Sequence, residues 1–169
     1  MLSKCSNPYS GASFAKWMKD EVDKYERTHP RTVVPLVMAE LVPDDHNGYT
    51  CPAFDAARES KKPVLFYIGR DARPEDSRKI KKQVKAARRL EKAAFSSKKA
   101  AAAAKGWILL RLNLGEKEHA IFAKSLGIEA APAVLMYLPD NKEPVDLGTR
   151  IRGANLVFHF KKHAPKIEK

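Results

Sequence analysis

Leu126-Gly127-Ile128-Glu129-Ala130-Ala131-Pro132-Ala133-Val134-Leu135-Met136-Tyr137 contains a helix end, a turn and the start of an apolar strand. Gly127 closes the preceding helical pattern. Pro132 has no N–H to give to a ladder, so it belongs at the beginning of the strand and not inside it. The residues after it form a short apolar run of strand length.

Working outward, Trp107-Ile108-Leu109-Leu110-Arg111-Leu112-Asn113-Leu114 reads as a central strand, and Pro63-Val64-Leu65-Phe66-Tyr67-Ile68-Gly69 as another. Helix Glu116–Leu126 is expected to turn Ile121, Phe122 and Leu126 inward. Upstream, a long helix follows the turn Arg70-Asp71-Ala72-Arg73-Pro74, with Ile80, Val84, Ala87 and Ala94 along one stripe. Ser96-Ser97 is a candidate break in it, and the alanine run 100–104 continues helical until Gly106. Thr50-Cys51-Pro52 opens a short helix carrying Phe54 and Ala57. Near the C-terminus, Pro144–Leu147 reads as an edge strand ending at Gly148, and Asn155–His163 as a closing helix. From residue 52 the order is α, β, α, β, α, β, β, α. A strand–helix–strand beginning requires a parallel pair, and the final hairpin is antiparallel.

Residues 1–50 read as an N-terminal extension and residues 51–169 as the main domain. In the extension, Phe14, Trp17, Met18, Val22 and Tyr25 repeat at helical spacing up to His29-Pro30. This aromatic stripe is expected to dock on the core. Val33–Ala39, interrupted by Pro35, fits either an edge strand or a short helix. Pro43-Asp44-Asp45-His46-Asn47-Gly48 is a solvated loop; its Asp and His residues lack the spacing of a metal site. No metal, cofactor or membrane span is expected. Met1–Ser6 has no apolar signal core, so the chain as written is expected to be cytoplasmic, or periplasmic or secreted if a signal peptide was trimmed.

The order from about residue 52 to residue 164, and the Leu126–Tyr137 segment above all, resembles the thioredoxin superfamily, of the disulfide-reductase type. Phe54-Asp55-Ala56-Ala57 leading to Lys61-Lys62-Pro63-Val64-Leu65 is similar to its helix-to-strand lead-in, Leu126–Tyr137 to its cis-proline loop, and Gly148 to a glycine lining its substrate groove. The implied fold is α/β, a central mixed sheet flanked by helices. The resemblance also implies a CxxC pair between the first central strand and its helix, where the helix N-terminus lowers thiol pKa values. Arg70–Pro74 stands there and contains no sulfur. Disulfide exchange needs an attacking thiolate, so no catalytic residue is assigned in the loop and a redox-inactive module is expected. Its implied protein-binding groove is lined by Arg70, Asp71, Ala131, Pro132 and Gly148, which would take an extended segment or an acidic surface of another protein.

Two other readings follow from the residues. Cys5 and Cys51, the chain's two cysteines, have neither CxxC nor zinc-site spacing. They are expected to be free thiols; a Cys5–Cys51 bridge would require an oxidising compartment. Cys51, before Pro52 at a helix start, would serve a thiol–disulfide or peroxide-handling enzyme as a lone nucleophile only if exposed. The net charge of +12 is concentrated in residues 70–105, which hold thirteen Lys and Arg against four Asp and Glu. On the long helix Arg78, Lys79, Lys81, Lys82, Lys85, Arg88, Arg89 and Lys92 would face outward, a surface able to attract a polyanion such as nucleic acid. This segment contains no aromatic residue for base stacking.

Overall fold

The fold is built on β4 (Val64–Gly69), whose six residues are all buried. The computed structural model describes residues 16–21 and 32–165. β4 is central to a five-stranded sheet: β5 (Ile108–Asn113) lies parallel on one side and β6 (Ala133–Tyr137) antiparallel on the other. Beyond β5 is the short edge strand β1 (Val37–Met38), parallel to it, and beyond β6 the antiparallel edge strand β7 (Val145–Asp146). The order β1-β5-β4-β6-β7, with a cis peptide at Ala131–Pro132, makes the fold thioredoxin-like.

Because alternate residues of a strand point to opposite faces, the apolar runs build two layers. Leu65, Tyr67, Leu109, Val134 and Met136 face one layer, covered by α2 (Arg78–Leu90), α3 (Lys98–Ala103) and α5 (Gly153–Lys162). Val64, Phe66, Ile68, Leu110, Leu112 and Leu135 face the other, covered by α1 (Pro52–Glu59) and α4 (Lys117–Ser125). Phe66 packs edge-on to Phe54 and Tyr137 in that second layer, while Trp107 meets Phe160 in the first.

The long helix is interrupted as the two serines suggest. Ser77 caps α2, which buries Val84, Ala87 and Leu90. A π-turn at Glu91–Phe95 then buries Ala94 and Phe95, and Ser97 caps α3 by accepting from the N–H of Ala100. Gly106, at φ +84°, turns the chain into β5.

Some expectations are revised. Val33–Ala39 contains a strand: Val37 and Met38 pair with Leu110 and Arg111. The sheet lies in the compact unit Thr32–Lys169. Of the expected loop Pro43–Gly48, Pro43 pairs with Tyr49 as the end of β2 (Val42–Pro43), and residues 44–48 form the turn that joins it to β3 (Tyr49–Thr50) in a small antiparallel hairpin. The Asp44 carboxylate makes that turn by accepting from the N–H groups of His46 and Gly48. On α4, Phe122 and Ala123 are buried, whereas Ile121 and Leu126 are half-buried, since the helix presents His119 to the sheet. In the separate unit Met1–Arg31, residues 16–21 are helical and Trp17 and Met18 are exposed; Phe14, Val22, Tyr25, His29 and Pro30 lie outside the described residues.

Candidate functional site

The loop between β4 and α2 is held by its own side chains. Arg73 and Asp76 stand three residues apart in it, and the Asp76 carboxylate accepts from the Arg73 N–H at 2.7 Å. The Arg73 guanidinium reaches Glu116 at 3.1 Å across the loop that follows β5. Asn113, buried at the end of β5, secures Asp71 twice. Its amide oxygen accepts from the N–H of Asp71 at 3.1 Å, and its amide nitrogen donates to the Asp71 carboxylate at 3.0 Å. Asn113 is in turn positioned by α4, because its backbone N–H donates to Nδ1 of the buried His119 at 3.0 Å. Arg70 donates to the carbonyl of Leu114 at 3.2 Å.

Beneath the loop lies a cluster that sequence reasoning missed. Arg111 donates to both Asp71 oxygens, at 2.7 and 3.3 Å, and approaches Glu91 at 3.6 Å. The Tyr67 hydroxyl donates to Glu91 at 2.8 Å, and the Arg111 guanidinium lies 5.9 Å from the Tyr67 ring centre. Burial pushes the Tyr67 phenol well above its usual range, and the Glu91 charge adds to that effect. Burial disfavours the charged Arg111, but the Asp71 and Glu91 carboxylates outweigh it and hold the guanidinium more firmly charged. Asp71, Glu91, Arg111 and the Tyr67 hydroxyl are thus engaged with one another.

Pro132 faces a different environment. It lines a cleft of about 530 Å³ together with Lys82, Lys85, Ala86, Arg89, Leu90 and Ala93 of α2 and its π-turn, and Thr149, Arg150, Ile151 and Arg152 before α5. Five cationic side chains and no acid line it. Among the described residues, none of the five takes part in an ion pair. Next to Pro132, neither the N–H nor the C=O of Ala131 is taken up by another backbone group of the described residues. Gly148, at φ +72°, turns the chain out of β7 toward Thr149, and its N–H donates to Asp146 at 2.7 Å.

The structure therefore divides the sequence-assigned residues. Pro132 meets Lys82, Lys85 and Arg89 in one cleft, with Ala131 beside Pro132. Arg70 and Asp71 are engaged with the end of β5 and do not line that cleft. Arg78, Lys79, Lys81 and Lys92 are exposed on α2 and the π-turn outside the cleft, and Arg88 is half-buried. Arg150 and Arg152 were not singled out from the sequence; two arginines flanking a buried Ile151 are their only signal.

Cys51 is a free thiol, 1% exposed in the layer beneath α1. Burial pushes its pKa up, against the N–H groups of Phe54 and Ala53, which lower it. A buried thiol of raised pKa is a poor nucleophile. Cys5 lies outside the described residues. Among the described residues no set of three or more His, Cys, Asp or Glu side chains could hold a metal, and no helix is long and apolar enough to cross a membrane.

No protein-family model and no curated protein matches the chain. Among solved structures, a thioredoxin from Thermus thermophilus is similar at a TM-score of 0.46 and 10% identity, over 65% of this chain and 79% of that one. The C-terminal domain of DsbD from Neisseria meningitidis in its reduced form is similar at 0.42 and 17% identity, over 66% of this chain and 90% of that domain. Its oxidised form gives 0.41 and 15% identity, over 66% and 93%.

Proposed function

We propose that this chain is a binding module without dithiol chemistry, which takes an extended segment of another protein beside Ala131 and Pro132. The observation that carries the reading is that no other backbone group of the described residues pairs with Ala131, the neighbour of the cleft-lining Pro132. A backbone N–H and C=O left without partners in a residue 7% exposed gain free energy from any strand that supplies them. Strand addition works through such main-chain bonds and needs no reactive side chain. The loop between β4 and α2 supports the same reading, since it contains no sulfur and its Asp71 and Asp76 carboxylates are engaged internally. Cys51, buried under α1, gives no support to a thiol enzyme.

The test has two readouts. In an insulin-reduction assay with dithiothreitol, the chain should give no acceleration over background. Extended peptides selected from a displayed library should bind the wild type and lose binding to Ala93→Trp, which places a large ring in the cleft from an exposed position. Insulin turnover that survives replacement of both Cys5 and Cys51 would overturn the reading. So would selected peptides indifferent to Ala93→Trp.

A further inference from the structure

Lys82, Lys85 and Arg89 recur at helical spacing along one side of the cleft, and Arg150 and Arg152 face them from the loop before α5. From the 1.5 Å rise of an α-helix, the row from Lys82 to Arg89 is about 10 Å long. An extended peptide places alternate side chains about 6.6 Å apart on one face. A row of this length therefore matches two successive same-face side chains of a strand, with the loop arginines opposite. A single phosphate would instead call for donors converging on one point, including backbone N–H groups. Leu90, Pro132 and Ile151 form the apolar part of the lining, and no aromatic side chain is present on which a nucleobase could stack.

We infer that the occupant of the cleft is an acidic peptide segment, with Asp or Glu at alternate positions held between Lys82, Lys85 and Arg89 on one side and Arg150 and Arg152 on the other. The inference rests on the proposed binding of an extended segment and adds its chemistry. The five cations lack counter-charges among the described residues, so carboxylates relieve their mutual repulsion as they bind. Such binding is screened by salt.

The probe is a fluorescein-labelled peptide of alternating Glu and Ser, compared by anisotropy with its Gln-for-Glu counterpart and with oligouridylate of equal length. The acidic peptide should bind about tenfold or more tightly than the neutral one, the advantage fading between about 0.05 and 0.5 M salt. Lys85→Glu and Arg150→Glu, both exposed, should each remove most of that advantage. Lys98→Glu with Lys99→Glu, exposed on α3 outside the cleft, should leave it in place. Equal binding of both peptides, each blocked by Ala93→Trp, would overturn the acidic preference while the proposed function stands. Binding of neither peptide would remove both. An equal loss in the α3 variant would also overturn the inference, by assigning the effect to net charge. Tighter binding of oligouridylate, lost in the same cleft variants, would overturn it in favour of nucleic acid.

Discussion

Replacing Arg111 by methionine withdraws a guanidinium from among Asp71, Glu91 and Tyr67 while keeping an unbranched stem of similar length. Removing one partner of a buried ion pair costs about 3–5 kcal/mol, because the other charge stays buried without compensation. The geometry lowers that figure. Asp71 is 56% exposed, so it rehydrates and contributes only the ~0.5 kcal/mol typical of an exposed pair. Glu91 is 15% exposed and keeps one internal donor, the Tyr67 hydroxyl, after its cation has gone. The net expectation is a loss of about 2–3 kcal/mol, or roughly 5–10 °C in Tm for a chain of this size. Urea denaturation at neutral pH measures it, with an unchanged m-value showing that the unfolded state is unaffected. The double variant Arg111→Met with Glu91→Gln should recover about 1 kcal/mol or more, since the amide still accepts from Tyr67 but needs no counter-charge. An Arg111→Met protein within about 0.5 kcal/mol of wild type, or a double variant no more stable than the single one, would refute this account of the cluster.

Tyr67→Phe should cost about 1–2 kcal/mol at neutral pH, where the hydroxyl donates to the Glu91 carboxylate. Burial raises the folded-state pKa of Tyr67, so above about pH 10 the unfolded chain releases a proton that the folded chain keeps. The Tyr67 contribution is therefore full below that pH and declines above it, and the gap between wild type and Tyr67→Phe should narrow from pH 8 to pH 11. A constant gap in urea titrations across that range would contradict the assignment. Phe66→Ala should cost about 3–5 kcal/mol by the same assay, since Phe66 is wholly buried with Phe54, Phe122 and Tyr137 around it. A loss below about 1.5 kcal/mol would mean that α1 and α4 close over the cavity.

The central strands were legible because β4, β5 and β6 are covered on both faces, which leaves apolar runs, broken in β5 by Arg111, bounded by Pro63, Gly106 and Pro132. Edge elements left weaker traces. β1 is two residues long and takes its identity from pairing with Leu110 and Arg111, which no local pattern at Val37 announces. Pro35 obscured it further by being equally suited to a helix start. The β2–β3 hairpin owes its register to the Asp44 carboxylate gripping His46 and Gly48, and its two-residue strands are too short to alternate. At the site, Pro132 and the bases of α2 could be named from the sequence. Their meeting in one cleft could not, because it depends on how α2 lies across the end of β6. The cluster joins Asp71 to Arg111 across 40 positions and more than one element, with Glu91 at the first position of the π-turn.

That π-turn links the interior of the protein to the charge of its surface. Glu91 is the only acid between Arg78 and Lys92, and it is turned inward onto Tyr67 and Arg111. Asp71 and Asp76 of the loop before α2 are engaged as well, Asp71 by Arg111 and Asn113 and Asp76 by the Arg73 backbone, and the exposed Glu75 of that loop does not line the cleft. The inward turn of Glu91 takes from this surface the one carboxylate of the Arg78–Lys92 run. Uncompensated charges within a few ångströms of an apolar floor repel one another more strongly than they would in open water. The partition of charge that stabilises the sheet end thus also maintains a cationic wall beside Pro132. Moving an acid to that wall, as in Lys85→Glu, should therefore relieve repulsion and leave the fold at least as stable, even as it removes the attraction for an acidic segment.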